Sequence, residues 1–268
     1  MRKLSSALLL LILFTVPVFA FPQRIISTMP SITETLFALG LGGRVVGVTQ
    51  NDDYPPEART IEAVGRDTVN LEKVIYLKPD LVIMLEDAQK RDVDNLKKHG
   101  LPVMTVNPHS VGETMGSILE IGRACGATEE AERVVVGMKK ALATMETDIF
   151  FRPRPSVLVV VGYKPLVVVG NQNFVNDVIN LAGGRNSIAG ARSPYPEINL
   201  EELYRIDPQY IVLPREPATK EQLLNDPVWS KLSAVKNDRI LLIDPDILFR
   251  PGPRIVGAVG RINRFINK

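Results

Sequence analysis

One stretch of this chain occurs twice. Residues 70–83 read Asn-Leu-Glu-Lys-Val-Ile-Tyr-Leu-Lys-Pro-Asp-Leu-Val-Ile, and residues 199–212 read Asn-Leu-Glu-Glu-Leu-Tyr-Arg-Ile-Asp-Pro-Gln-Tyr-Ile-Val. Asn70, Leu71, Glu72 and Pro79 match Asn199, Leu200, Glu201 and Pro208 at one constant offset of 129 positions (199 minus 70). Each copy predicts a short helix opened by an Asn cap, whose amide oxygen accepts from a free N–H of the first turn. The helix must stop before a proline, and the apolar run that follows reads as a buried strand. Gly42-Gly43-Arg44 and Gly183-Gly184-Arg185 form a second echo, each closing a helical stretch. Two similar α/β lobes with a groove between them are the simplest architecture that repeats such a unit.

The first twenty residues read as a cleavable export signal. Arg2 and Lys3 precede an apolar run from Ala7 to Phe14, and Val18-Phe19-Ala20 places small residues at −3 and −1 of a cut after Ala20. The alternative, a membrane anchor, needs a longer apolar run than this one, and Pro17 lies just beyond it. No Cys follows the expected cut directly, so no lipid anchor is expected, and the predicted location is the periplasm. Cys125 is the only cysteine and reads as an inert buried thiol near a helix end. Without Arg2 and Lys3 the chain carries 30 basic and 30 acidic residues. That balance argues against general binding to nucleic acid or to an anionic membrane.

Along the mature chain, short apolar strands alternate with helices: Arg24 to Thr28, Val45 to Thr49, Leu81 to Leu85 and Val103 to Val106. The alternation predicts parallel, helix-flanked sheets. Ser31-Ile32-Thr33-Glu34 and Ser110-Val111-Gly112-Glu113 both have the spacing of a capping box, in which the hydroxyl and the carboxylate satisfy two free N–H groups. From Thr128 to Ile149 the apolar residues Val134, Met138, Ala141, Leu142, Met145 and Ile149 recur at helical spacing. This segment reads either as a single spine joining two lobes or as an ordinary peripheral helix. The expected organisation is a lobe over 21–127, a connecting helix over 128–150 and a second lobe over 151–268. Further strands are expected at Val157 to Val161, Leu166 to Val169, Tyr210 to Leu213 and Ile240 to Ile243, with a helix from Phe174 to Ala182.

The run from Arg24 to Gly40, Asp53-Tyr54-Pro55-Pro56, Asn70-Leu71-Glu72, Leu77 to Ile83 and Arg250-Pro251-Gly252-Pro253-Arg254 together resemble the substrate-binding proteins of ABC importers for cobalamin, ferric siderophores and haem. The likeness spans residues 23–268 and is strongest to the cobalamin-binding branch. It implies two Rossmann-like lobes joined by one long helix, with little hinging. It also implies a monomer that contacts the membrane only through a permease with its ATPase subunits. One exposed glutamate per lobe docks the permease in such proteins, at the positions of Glu72 and Glu201 here. The resemblance places Asp246 and Arg250 in the ligand groove, with Tyr195 where a pocket tryptophan stands. Other groove positions, aromatic in cobalamin binders, are Asn51, Arg66, Leu85 and Val161 here. Tyr163 is a further groove candidate or else simple packing, and a bland alternative for Asp246 and Arg250 is a local i,i+4 pair.

The residues themselves narrow the function. His99 and His109 fall in one lobe without ligand spacing, so capture of zinc or manganese through several imidazoles is not expected. No resident cofactor is expected, although the cargo may itself be a metal chelate such as a corrinoid, a ferric siderophore or haem. Among enzymes, the chain lacks a Gly-x-Ser-x-Gly elbow, a His-Glu-x-x-His helix and a phosphate-cradling Gly-Lys-Ser/Thr loop. The expected function is non-covalent capture of a corrinoid for an ABC importer. A siderophore or haem carrier is the alternative within the family, and a periplasmic α/β enzyme or a structural module the alternative outside it.

Overall fold

Runs of Val, Ile and Leu set the strands, and the helices between them return across the sheet faces. The computed structural model describes residues 21–149, 152–188, 190–191, 193–215 and 219–268. The expected export signal lies outside the described residues. The first sheet uses β1 (Ile25–Ser27), β2 (Val45–Gly47), β3 (Leu81–Leu85) and β4 (Val103–Val106), in the order β2-β1-β3-β4. All of its pairings are parallel. Helices α1 (Pro30–Ala38), α2 (Leu71–Leu77) and α3 (Lys90–Lys98) link these strands, and α4 (Val111–Cys125) leads to α5 (Thr128–Ile149).

The second sheet contains β5 (Ser156–Gly162), β6 (Val167–Val168), β7 (Arg185–Asn186), β8 (Tyr210–Pro214) and β9 (Ile240–Ile243). Its path is β6-β5-β8-β9, with β7 also pairing β5. The β5–β6 pair is antiparallel and the remaining pairs are parallel, so this sheet is mixed where the alternation predicted a purely parallel one. The short β5–β6 link explains it: a parallel return needs a crossover of a dozen or more residues, and four residues separate these strands. Helices α6 (Phe174–Leu181), α7 (Leu200–Ile206), α8 (Lys220–Asn225), α9 (Ser233–Lys236), α10 (Pro245–Leu248) and α11 (Ile255–Ile266) complete the lobe.

Both sheets alternate between two cores, as the period of two in a strand requires. Ile25 and Ile83 of the first sheet, and Val157, Val159 and Val212 of the second, face one apolar cluster that also holds Ile118 of α4, Val135 and Met138 of α5 and Ile262 of α11. Their neighbours turn outward, with Ile26, Val82 and Met84 in one outer cluster and Leu158, Ile211 and Leu213 in another. Helix α5 packs against α4 on one side and α11 on the other. The inner faces of the two lobes therefore share one core, with the Ala131, Val135, Met138 and Leu142 stripe of α5 packed along it.

The repeat goes deeper than its letters. Asn70 Oδ1 accepts from the Lys73 N–H at 3.0 Å, and Asn199 Oδ1 accepts from the Glu202 N–H at 2.8 Å. Each helix closes on a left-handed residue, Lys78 at φ 46° and Asp207 at φ 37°, again 129 positions apart. Next, the Asp80 carboxylate accepts from the Gln23 and Arg24 N–H groups ahead of β1, while Gln209 Oε1 accepts from Ser156 N–H at the start of β5. Asp and Gln perform one task here, which identity alone conceals.

The two predicted capping boxes fare differently. Helix α1 begins at Pro30 with Met29 as its cap, no side chain caps it, and Ser31 Oγ has no partner. The fixed φ of proline starts the helix a residue early, and Glu34 turns into the protein instead. Ser110 does cap α4, accepting from Glu113 N–H at 3.0 Å, but the Glu113 carboxylate accepts from His109 N–H rather than from Ser110.

Candidate functional site at the lobe seam

In a parallel sheet the loops that follow the strands collect along its C-terminal edge, where α/β proteins place their ligands. Asp52 and Asp53 lie just beyond β2, and α1 with Glu34 follows β1. Beyond β9 come α10 and the Arg250 segment. These two edges meet. Arg250 Nη1 donates to Asp53 Oδ1 at 2.7 Å and to Glu34 Oε1 at 3.1 Å. Its Nη2 reaches Asp246 Oδ1 at 2.8 Å and the Asn51 carbonyl at 3.3 Å. Arg254 grips Glu34 with both arms, Nε to Oε2 at 2.7 Å and Nη2 to Oε1 at 2.5 Å, and its guanidinium lies 3.9 Å over the Tyr54 ring. A second bond crosses the seam where Val111 N–H at the start of α4 donates to Asp177 of α6 at 2.8 Å.

Five charged groups thus share a small, half-dry volume. The Glu34 side chain is only 2% exposed, which its two arginines make tolerable. Burial works against the Asp53 carboxylate, but the Arg250 guanidinium bonded to it prevails and holds that carboxyl below its usual range. Burial raises the Asp246 carboxyl, with Arg250 opposing and the charge of Asp53 reinforcing the shift. Beneath them Asp52 is buried and also raised by desolvation, although the Thr49 N–H and hydroxyl donate to its Oδ2. One Asp52 oxygen, Oδ1, has no partner. Beside this cluster Glu34, Phe37, Ala38, Tyr54 and Pro55 of the first lobe face Pro253 and Arg254 of the second around a recess of ≈ 340 Å³.

The structure gathers Asn51, Asp246 and Arg250 into this cluster. The bland reading of Asp246 and Arg250 as a local pair is incomplete, because Arg250 also spans to the other lobe. Arg250 Nε–H has no partner among the described residues. Arg66 is exposed on the neighbouring loop and donates from Nε to Gln50 Oε1 at 3.2 Å. Leu85 is half-buried at the C-terminal end of β3. Tyr195 is exposed in a loop held to β6 and Gly170, where Val168 and Gly170 N–H groups donate to the Pro196 and Pro194 carbonyls. Tyr163 stands apart from the charged cluster. Its hydroxyl donates to Asp226 at 2.6 Å and its ring tilts over Trp229 at 5.9 Å, in a recess of ≈ 440 Å³ within the second lobe. Burial and the Asp226 carboxylate push this phenol up to about 12.

Glu34, Asp53 and Arg254 were not singled out from sequence as seam residues. A signal existed for Glu34, a lone charge in the otherwise uncharged run from Ile25 to Leu41, and was absorbed by the capping-box spacing. Glu72 and Glu201 occupy the second position of α2 and α7, exposed and without a hydrogen bond or ion pair among the described residues. Those helices run back to the next strand of each sheet, so their N-termini lie on the same C-terminal edge as the seam. Among the described residues, no group of three His, Cys, Asp or Glu is placed to hold a metal ion, and no helix is long and apolar enough to cross a membrane.

Residues 25–247 match the family defined as periplasmic binding protein. The chain belongs to that family. An uncharacterized ABC transporter substrate-binding lipoprotein of Bacillus subtilis strain 168 is 37% identical over 246 residues, covering 89% of this chain and 78% of the relative. Its name makes it a lipoprotein, unlike the unanchored product expected here. The crystal structure of the periplasmic vitamin B12 binding protein BtuF of Vibrio cholerae superposes with a TM-score of 0.82 at 27% identity, covering 91% of this chain and 96% of that one. The periplasmic heme-binding protein RhuT from Roseiflexus sp. RS-1, in apo form, gives 0.82 at 26% identity, covering 91% and 98%. This periplasmic binding protein therefore shares its two-lobed fold with carriers of two different macrocycles.

Proposed function

We propose that this chain is the periplasmic solute-binding subunit of an ABC importer, and that it captures a corrinoid without chemical change. The observation that carries the reading is the meeting of both sheet edges at Arg250, whose Nε–H has no partner among the described residues. Amide or carboxylate groups on the rim of a macrocycle are suitable acceptors for that fork. Asn51, Asp246 and Arg66 would add polar contacts, Leu85 an apolar one, and Tyr195 an aromatic face, while Tyr163 lies in a separate recess with Asp226 and Trp229. Haem or a ferric siderophore is the second reading, favoured by the near-equal likeness to a heme-binding protein.

Titration of the purified protein with cyanocobalamin, hemin and a ferric siderophore, read by calorimetry, tests the cargo. Saturable one-to-one binding of cyanocobalamin with unchanged ligand afterwards supports the reading. No binding of any of the three, or conversion of the ligand, would overturn it. Arg250→Ala should weaken capture when measured well below its melting temperature. Delivery is assigned to Glu72 and Glu201, which would meet basic side chains on a permease with ATPase subunits. Glu72→Lys together with Glu201→Lys should abolish uptake into permease-bearing proteoliposomes and leave ligand affinity within about two-fold, since rim charges govern encounter and orientation. Uptake that survives the double change removes the docking role.

A further inference from the structure

Four of the ten exposed large apolar side chains among the described residues lie on the two short repeated helices. Ile75 and Tyr76 on α2 are 48% and 82% exposed, and Leu200 and Tyr204 on α7 are 47% and 38% exposed. Each helix is only seven residues long. Ile75 and Tyr204 are equivalent positions, separated by the same 129 residues as the caps, the glutamates and the left-handed terminators. Between them the buried anchor is conserved in kind, Val74 in one helix and Leu203 in the other, both fully buried. The two helices thus seat in their lobes in the same orientation and present the same face outward.

Residues three and four apart lie on one helical face. Glu72 therefore shares its face with Ile75 and Tyr76, and Glu201 shares its face with Tyr204. Tyr204 is also held in place, its hydroxyl donating to the Val228 carbonyl at 3.1 Å. At both pseudo-equivalent sites an exposed apolar side chain thus stands one turn from a carboxylate that has no partner among the described residues. Two identical charge signs at two matching sites suit a partner with its own two-fold axis.

Building on the docking role of Glu72 and Glu201, we infer that the docking epitope is composite: Ile75 with Tyr76 on one lobe, and Tyr204 on the other, pack on apolar side chains beside the basic residues of a two-fold symmetric permease. The carboxylates orient the carrier, and the apolar faces slow its departure. Leu200 and the adjoining Tyr163–Trp229 recess give the second lobe a concave border that the first is not required to share.

The test is binding of the whole protein to its cognate permease–ATPase complex in lipid nanodiscs, read by biolayer interferometry. Ile75→Ser and Tyr204→Ser should each raise Kd about ten-fold, through faster dissociation, as expected for losing roughly half a buried aliphatic or aromatic contact. Ile75→Met and Tyr204→Phe should stay within about two-fold, and Val136→Ser, at an exposed apolar position on α5, should have no effect. Serine variants that keep the wild-type melting temperature and wild-type Kd, while Glu72→Lys with Glu201→Lys abolishes binding, would overturn the composite epitope and leave the docking glutamates standing. Wild-type Kd in the glutamate variant as well would remove both.

Discussion

Glu34 is the residue whose removal should be felt most in the frame. Its carboxylate, 2% exposed, takes three hydrogen bonds from two arginines that belong to the other lobe. Glu34→Gln keeps the volume and removes the charge, leaving both guanidiniums short of a partner. Breaking a buried pair by removing one member typically costs about 3–5 kcal/mol. Two features reduce that here: Arg250 retains Asp53 and Asp246, and the Arg254 side chain is a quarter exposed and can recover water. A loss of about 2–3 kcal/mol follows, which for a chain of this length lowers Tm by about 4–12 °C. Thermal unfolding followed by circular dichroism at pH 7 reads it directly. A second variant, Glu34→Met with Arg254→Met, removes both charges and should recover much of the loss, because well-packed apolar side chains often replace a buried pair at little cost. A Tm within about 1 °C of wild type for Glu34→Gln, or no recovery in the double variant, would refute the cross-lobe clamp.

Two further predictions concern titration. Burial raises the folded pKa of Asp52 above the ordinary value of 3.8, so its favourable contribution is complete below that value and is lost as pH rises through the folded one. Asp52→Asn should therefore gain on the wild type in Tm between pH 3.5 and pH 7, and a flat or falling difference would show that the carboxylate is not held against desolvation. The Cys125 thiol, pushed up to about 11 mainly by burial, should be about one part in a thousand thiolate at pH 8 and resist a thiol-specific disulfide reagent in the native state. Rapid labelling without denaturant would mean that the thiol is open to solvent.

The strands, the spine and the paired Asn-capped helices were legible because each rests on local pattern: apolar runs of strand length, a 3.6-residue period, an Asn before a helix and a proline after it. The β5–β6 hairpin was not, since Tyr163 to Leu166 carries no Asn-Gly or Asp-Gly turn to announce it. The seam was half-legible. Asp246 and Arg250 were found by resemblance, but their partners Glu34 and Asp53 lie 216 and 197 residues from Arg250, and no spacing rule reaches that far. The capping-box misreading of Ser31 and Glu34 has the same origin. A local motif offered the carboxylate one backbone N–H, whereas tertiary structure offered two arginines, and the stronger partners won.

The shared inner core bears on how such a carrier opens. Val135 and Met138 of α5 are buried in one cluster with Ile25 and Ile83 of the first lobe and Val157 and Val212 of the second. A wide hinge motion that bared even six side chains of that cluster would cost about 9–18 kcal/mol at about 1.5–3 kcal/mol each. Binding at nanomolar affinity supplies about 12 kcal/mol in total. The arginine clamp across the seam adds to the resistance. The two sheet edges therefore resist separation, and on the proposed carrier role the selection of cargo falls to side chains already in place around Arg250. On that role, capture needs only rotamer changes and an exchange of carboxylate partners on that guanidinium, since Arg250 can release Asp53 and Asp246 while Arg254 keeps its separate pair with Glu34.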